Sequence, residues 1–477
     1  MFQVSYTLGR KGQLNTPGVT YASKKASEEL LLKDAKEHHC FFNTSGFHNH
    51  LSHHILAAYD LGAPAGQLKA IYADVAKIQR PFFVEEQHKT IKVDKDNWIQ
   101  YLGNESAYGS FVAFFSDAVI ELGVAGTLEK YLVGPEANVD GVDMLNRVMT
   151  ALFHSMIAIG YGVEFGNDTL VATGLAQAAC HKAMYNFRVD KSLPKENVTL
   201  FGLLEQMYAS KVLEPGPYDP SATFIECMQN CLANGGAKEI EKLCANWHIS
   251  DTITDAEIAL KSDEIIWAAT LLTFATGKRD HKPRLSFFFM HILTSSLFIR
   301  PLCAVIKRQE DKAALLRAYV ADMVLTVLMR GRAKIDADLI MSYNPVPRPP
   351  LSNPYPQPST KALGGPNNDE EYNPWPALIE GVRYNSDSHV LKTMRSLVFA
   401  AQHLGDTQPG GVIGAFRSGS DGAKTETLAG IGKIDGTIFV RSAGVLMQTL
   451  GWSGYGQTEV FWDFGGIGWD EAWQSAQ

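Results

Sequence analysis

Apolar residues recur at helical spacing through most of the chain from Ser27 to about Leu339. The runs EELLLKDAKEHH, HHILAAYDLG, PAGQLKAIYADVAKIQ, YGSFVAFFSDAVIELG, VDMLNRVMTALFHSMIAIGYGVEF and KAALLRAYVADMVLTVLMR each predict a helix. Most close at or near Gly or Pro, as helices do. Strand-like alternation is scarce. GKIDGTIFVRSAG and QTEVFWDF are the best strand candidates, and the first could equally begin a helix. No solenoid-like period recurs. The pattern therefore predicts a mainly α fold with little β structure.

One stretch breaks the pattern. YNPVPRPPLSNPYPQPSTKALGGPNNDEEYNPWP, residues 343–376, is too rich in proline for helix or central strand and must run extended. Whether it links two domains or wraps one depends on whether residues on its two sides share a site.

Histidines carry the chemical signal. In FHNHLSHHILAAY, His50 and His54 share a helix face, with His53 beside them. On the predicted helix DMLNRVMTALFHSMIAIGYG, Arg147, Thr150, His154 and Tyr161 form a polar stripe among apolar residues. His291, Thr294 and Ser295 share a face in SFFFMHILTSSLFIR, and His389 stands one turn from Lys392 in SDSHVLKTMRSLVFAAQHLG. One such histidine is ordinarily a satisfied core residue. Four apolar helices with inward imidazoles ask for partners at eight ring nitrogens, and a shared metal satisfies one nitrogen of each ring. Imidazole suits iron, zinc, copper or nickel.

Composition narrows the classes. The 477 residues carry 43 Lys+Arg against 51 Asp+Glu, a net charge of −8, so no basic excess points to nucleic acid or an anionic membrane. No unbroken apolar run of bilayer length is visible, so no membrane span is expected. The opening MFQVSYTLGRKGQLNTPG lacks the apolar segment of a secretion signal, and the expected location is cytoplasmic. Six scattered cysteines do not make a disulfide scaffold. Cys227 and Cys231 lie one turn apart, with Cys244 and His248 beyond, a spacing that reads as packing rather than a metal site. Phosphate loops, dinucleotide fingerprints and nucleophile elbows are absent.

Four ordered motifs, HHCFFN…GFHNHLSHHILAAYDLGA, ALFHSMIAIGYGVEF, FFFMHILTSS and DSHVLKTMR, resemble the questin oxidase-like family of fungal aromatic polyketide pathways. The resemblance runs from about Ser27 to His403, and the closing GIGWDEAW fits it. It implies a mononuclear non-haem Fe2+ held by His50, His154, His291, His389 and a carbamylated Lys392. Spacing alone does not separate His50 from His53 or His54; the family motif selects His50. The resemblance also implies an O2-dependent oxygenase that opens an anthraquinone ring to a benzophenone carboxylic acid. Tyr161 and Thr294 become candidates for orienting substrate or protons, and NADPH a freely diffusing reductant if the reaction is a Baeyer–Villiger monooxygenation. Related members often carry a second histidine four residues after the one matching His154, where this chain has Ala158, a position outside the implied ligand set. A site shared by His50 and Lys392 further implies a single large multi-helix domain, 1–477, with 343–376 as a long surface loop. A third reading, from another class, is a non-enzymatic helical protein with a structural zinc or a hydrophobic cavity, which four histidines and a lysine fit poorly.

Overall fold

Three helices, Leu51–Asp60, His154–Phe165 and Phe287–Ser296, are buried at every residue and form the centre of the computed structural model. A helix apolar on all sides belongs in a core rather than at a surface. The structure describes residues 5–185, 187, 196–352, 355–418 and 422–474. Around the centre, Tyr108–Leu128 packs along Asp168–Cys180, which also lies against His154–Phe165. That second crossing is tight: a Cβ on Gly174 would stand 2.8 Å from the Ile159 backbone nitrogen. Asp255–Phe274 flanks Phe287–Ser296, and Ser388–Leu404 packs on both Leu51–Asp60 and Phe287–Ser296.

Helix starts follow local chemistry. Thr254 caps Asp255–Phe274 by accepting from the Glu257 N–H, while Glu257 accepts from the Thr254 N–H. The same reciprocal box, which satisfies otherwise orphaned amides, opens Phe224–Leu232 through Thr223 and Glu226. The mainly α expectation holds. Of the strand candidates, residues 432–444 form a short turn and the helix Ile438–Leu446. QTEVFWDF forms no strand and makes a single bridge, between Asp463 and Ser286. The two strands among the described residues are a small exposed hairpin, Phe416–Ser418 with Lys424–Glu426.

Two expectations need correction. The long helix read through DMLNRVMTALFHSMIAIGYG is two helices, Met144–Met149 and His154–Phe165. Between them Ala151, Leu152 and Phe153 all adopt left-handed backbone, with φ of 56°, 60° and 61°. Each such residue costs roughly 1–2 kcal/mol, so the packing around the break must hold it. Secondly, two stretches, Glu105–Asn138 and Phe287–Val305, reach the length and hydropathy of a bilayer span. The second is 78% buried inside the protein, which is how a core helix passes the same test. Tyr108–Leu128, within the first, is broken at Gly123, where φ is 68°.

The proline-rich stretch folds back on itself at the surface. Arg348 pairs with Asp369 at 2.7 Å and lies 4.0 Å over the Tyr372 ring. Beyond it, Ser388–Leu404 returns to the centre. Arg395 on this helix donates to Asp60 at 2.8 Å and also binds Glu164. One buried guanidinium thus joins the ends of the helices that begin beside His50 and at His154.

Candidate metal centre

His50 occupies the position just before Leu51–Asp60, and His154 is the first residue of its helix. His291 lies one turn into Phe287–Ser296, and His389 opens Ser388–Leu404. One ring nitrogen from each falls in a single group whose members lie within 4.8 Å of one another. Helix ends and one buried helix face therefore deliver four imidazoles to one point.

Their outer nitrogens are already committed. The Nδ1–H of His50 donates to the His48 carbonyl at 2.6 Å, that of His154 to Ala151 at 2.6 Å and that of His291 to Phe287 at 2.6 Å. The Nδ1–H of His389 donates to Asp387 at 2.7 Å. A carbonyl or carboxylate cannot donate, so each ring carries its proton on Nδ1 and a lone pair on Nε2. The Nε2 atoms of His291 and His389 have no hydrogen-bond partner, and those of His50 and His154 face each other at 2.9 Å. Two imidazole nitrogens bound at right angles to one ion at about 2.0–2.1 Å would stand roughly 3 Å apart. The donor set fits a cation. Protonation is a poor substitute: burial, together with the neighbouring charges, holds His50, His154 and His291 well below the usual histidine pKa.

Lys392 is the fifth residue expected at the site. It is buried, its Nζ has no hydrogen-bond partner, and burial pushes its pKa down to about 7. It stands one turn from His389 on Ser388–Leu404. Residues before and after the proline-rich loop thus share one site.

The strained backbone at 151–153 has a local use. The Ala151 carbonyl, turned back by the left-handed residues, is the acceptor for His154 Nδ1. On the far side of the break, Arg147 donates to the carbonyls of Val142, His181 and Gly141, so it is a backbone clamp rather than a site residue.

The C-terminal segment braces the opposite side. Asp387 takes the His389 proton on one oxygen and the Trp462 indole N–H on the other at 2.9 Å. A carboxylate behind a ligating histidine fixes its ring and raises its basicity. Asp463 exchanges backbone bonds with Leu285 and Phe287, at 2.8 and 2.9 Å. The Phe287 ring meets His291 edge-on at 4.6 Å and His389 at 5.0 Å, while Phe464 stacks on it at 4.3 Å.

Tyr161 is one ring removed from the cluster. It packs on His53 at 5.6 Å, and His53 in turn meets His50 edge-on. The Arg395 guanidinium lies 5.2 Å over the Tyr161 ring, so this phenol belongs with the Arg395 ion pairs. Thr294 turns onto its own helix, donating to the His291 carbonyl at 3.4 Å. His54 is buried outside the group of four. Cys227, Cys231 and Cys244 are free thiols and join no metal-ligand group among the described residues. Sequence reasoning missed His48 and His181. His181 Nδ1–H donates to the Arg147 carbonyl, so its Nε2 accepts from His48 Nε2–H at 2.8 Å, and the His48 ring lies flat on His154 at 4.1 Å. His48 stands two residues from His50 in HNH, and that adjacency was the available signal.

Residues 47–397 match the family model described as Questin oxidase-like, a span that takes in all four histidines and Lys392. The chain belongs to the questin oxidase-like family. Among its relatives, the Baeyer-Villiger oxidase AgnL3 of Paecilomyces divaricatus is 25% identical over 81% of this chain and 80% of its own. The Baeyer-Villiger monooxygenase dmxR6 of a Cryptosporiopsis species is 24% identical, covering 84% and 86%. The questin oxidase of Aspergillus fumigatus is 25% identical over 57% of this chain and 62% of its own.

Proposed function

We propose that this chain is a non-haem Fe2+-dependent oxygenase that opens an anthraquinone ring to a benzophenone carboxylic acid in aromatic polyketide biosynthesis. The observation that carries the reading is the convergence of four histidine ring nitrogens in one group, with the buried, unpartnered Lys392 one turn from His389. The relatives' names support oxygen insertion and an aromatic polyketide substrate.

His50, His154, His291 and His389 would hold the metal through Nε2. Lys392, whose buried ammonium lacks a partner, would serve as a carbamate formed from CO2, an anionic oxygen ligand that offsets part of the metal charge. Iron bound there would supply O2 activation and polarisation of a substrate carbonyl. The protein's own residues do the rest. Asp387 and the three backbone carbonyls fix the imidazole orientations. Phe287 packs against two of the ligands, and His48, hydrogen-bonded to His181, stacks on His154 and holds its ring in place.

A second reading is favoured by the name of the Cryptosporiopsis relative: an NADPH-dependent Baeyer–Villiger monooxygenase, with NADPH as a diffusing reductant. Turnover under labelled O2 separates the two. Two labelled oxygens in the ring-opened acid, formed from the reduced quinone without NADPH, support the dioxygenase. One labelled oxygen, with NADPH consumed, supports the monooxygenase. Failure to convert any hydroxylated anthraquinone with iron and reductant supplied overturns both.

A further inference from the structure

A cleft of about 450 Å3 opens beside the metal cluster, between residues 212–234 and the C-terminal segment. Its size is that of a small-molecule site. Phe464 forms part of its wall, and the other side of that wall is Phe287, in contact with His291 and His389. Two stacked rings are thus the partition between cleft and ligands.

Arg330 also lines this cleft. It is only 7% exposed, and its Nε has no hydrogen-bond partner. One guanidinium nitrogen donates to the Phe464 carbonyl at 3.2 Å, and the group lies 3.9 Å over the Phe288 ring. No carboxylate among the described residues forms an ion pair with it: the Cys227 thiol is its side-chain neighbour, and Asp463, whose charge acts on it, is bound to Arg284. The acidic side chains in the lining are turned to other work: Asp219 accepts from the Ser221 amide and hydroxyl, and Glu214 is exposed and acts on Arg332. A buried, unpaired guanidinium is costly unless an anion joins it. Arg matches a planar oxyanion with its fork of donors and stacks on aromatic rings.

We infer that this cleft is an outer docking site for the substrate on its way to the metal, taking a flat polycyclic aromatic whose acidic phenolic oxygen pairs with Arg330, with the Phe464 and Phe287 rings between this site and the ligands. The inference rests on the anthraquinone reading above and adds the site and its recognition chemistry. It also gives the chain's two half-buried cysteines a use. Cys227 and Cys231 line the cleft, whereas Cys40, Cys180, Cys244 and Cys303 are buried elsewhere.

The test uses metal-free protein, so that it does not depend on turnover. A dihydroxyanthraquinone, its dimethyl ether and a benzoylbenzoic acid are titrated by calorimetry into the wild type and Arg330→Gln. The dihydroxy compound should bind the wild type and lose about tenfold or more on R330Q, as expected for a charge-assisted contact. The ether should bind weakly and equally to both. In the unsubstituted protein, the dihydroxy compound should also slow maleimide labelling of Cys227 and Cys231, a readout that survives if R330Q fails to fold. Binding that leaves labelling unchanged, or is indifferent to Arg330, overturns the cleft assignment and spares the functional reading. An Arg330 dependence confined to the benzoylbenzoic acid makes this a product site and overturns the assignment too. No binding of the dihydroxy compound anywhere overturns both.

Discussion

His50 and His154 point their Nε2 atoms at each other across 2.9 Å while both Nδ1 protons are already given to backbone carbonyls. Two lone pairs that close repel unless a cation lies between them. A ligand that binds only the folded state adds stability, about 4 kcal/mol at a thousandfold excess over its dissociation constant. Stripping the metal should therefore lower the melting temperature of the wild type by several degrees. In His154→Ala the chelator should do much less. Equal chelator effects on both proteins would detach the histidines from the metal.

Lys392→Met should abolish turnover and lower metal occupancy. The ammonium-free side chain fills similar space, so loss of metal would report loss of a ligand rather than collapse of the helix. Elemental analysis of the purified variant reads this directly, and unchanged metal content removes Lys392 from the ligand set.

Asp387→Asn keeps the shape of the side chain and removes the charge behind His389. Changing such a supporting group ordinarily costs 10–100-fold in metal affinity, so a loss of about that size is expected in a competition titration with a chelator. Trp462→Phe, which loses the 2.9 Å indole bond to the same carboxylate, should weaken affinity in the same direction by less.

Arg395→Met leaves Asp60 and Glu164 buried without their shared cation. Removing one partner of a buried pair costs about 3–5 kcal/mol, and the denaturation midpoint should fall accordingly. Because the pairs join three ligand-bearing helices, metal affinity should fall with stability.

Burial pushes the carboxyl of Asp322 up to about 7. Between the ordinary aspartate pKa and that value the folded state binds more protons than the unfolded chain, so this group's contribution favours folding at low pH and is lost as pH rises towards 7. Asp322→Asn removes that dependence. Melting curves from pH 5 to about 7.5 should fall more steeply with pH for the wild type than for D322N.

The helical fold was legible where apolar residues recur at helical spacing, as at Leu68, Ile71 and Tyr72 on the buried face of Ala65–Val75. His50, His154, His291, His389 and Lys392 were legible as polar residues among apolar neighbours at helical spacing, and the family motif chose His50 from its neighbours. The break at Ala151–Phe153 was not. Its residues have ordinary helix-forming side chains, and what turns them left-handed is the packing around the break, which sequence spacing does not record. Asp387, Trp462 and Phe464 were equally hidden as a group, because their common role depends on the C-terminal segment crossing the chain to reach Leu285 and Phe287. The QTEVFWDF alternation reads as a strand, but the segment forms only a single bridge, at Asp463.

The most direct test of the central claim is metal content after anaerobic purification, with activity on a hydroxylated anthraquinone measured after adding back Fe2+ or Zn2+. The account predicts about one iron per chain and activity restored by Fe2+ alone, since zinc has no redox chemistry. Ring cleavage by metal-free protein, unaffected by a chelator, would contradict it.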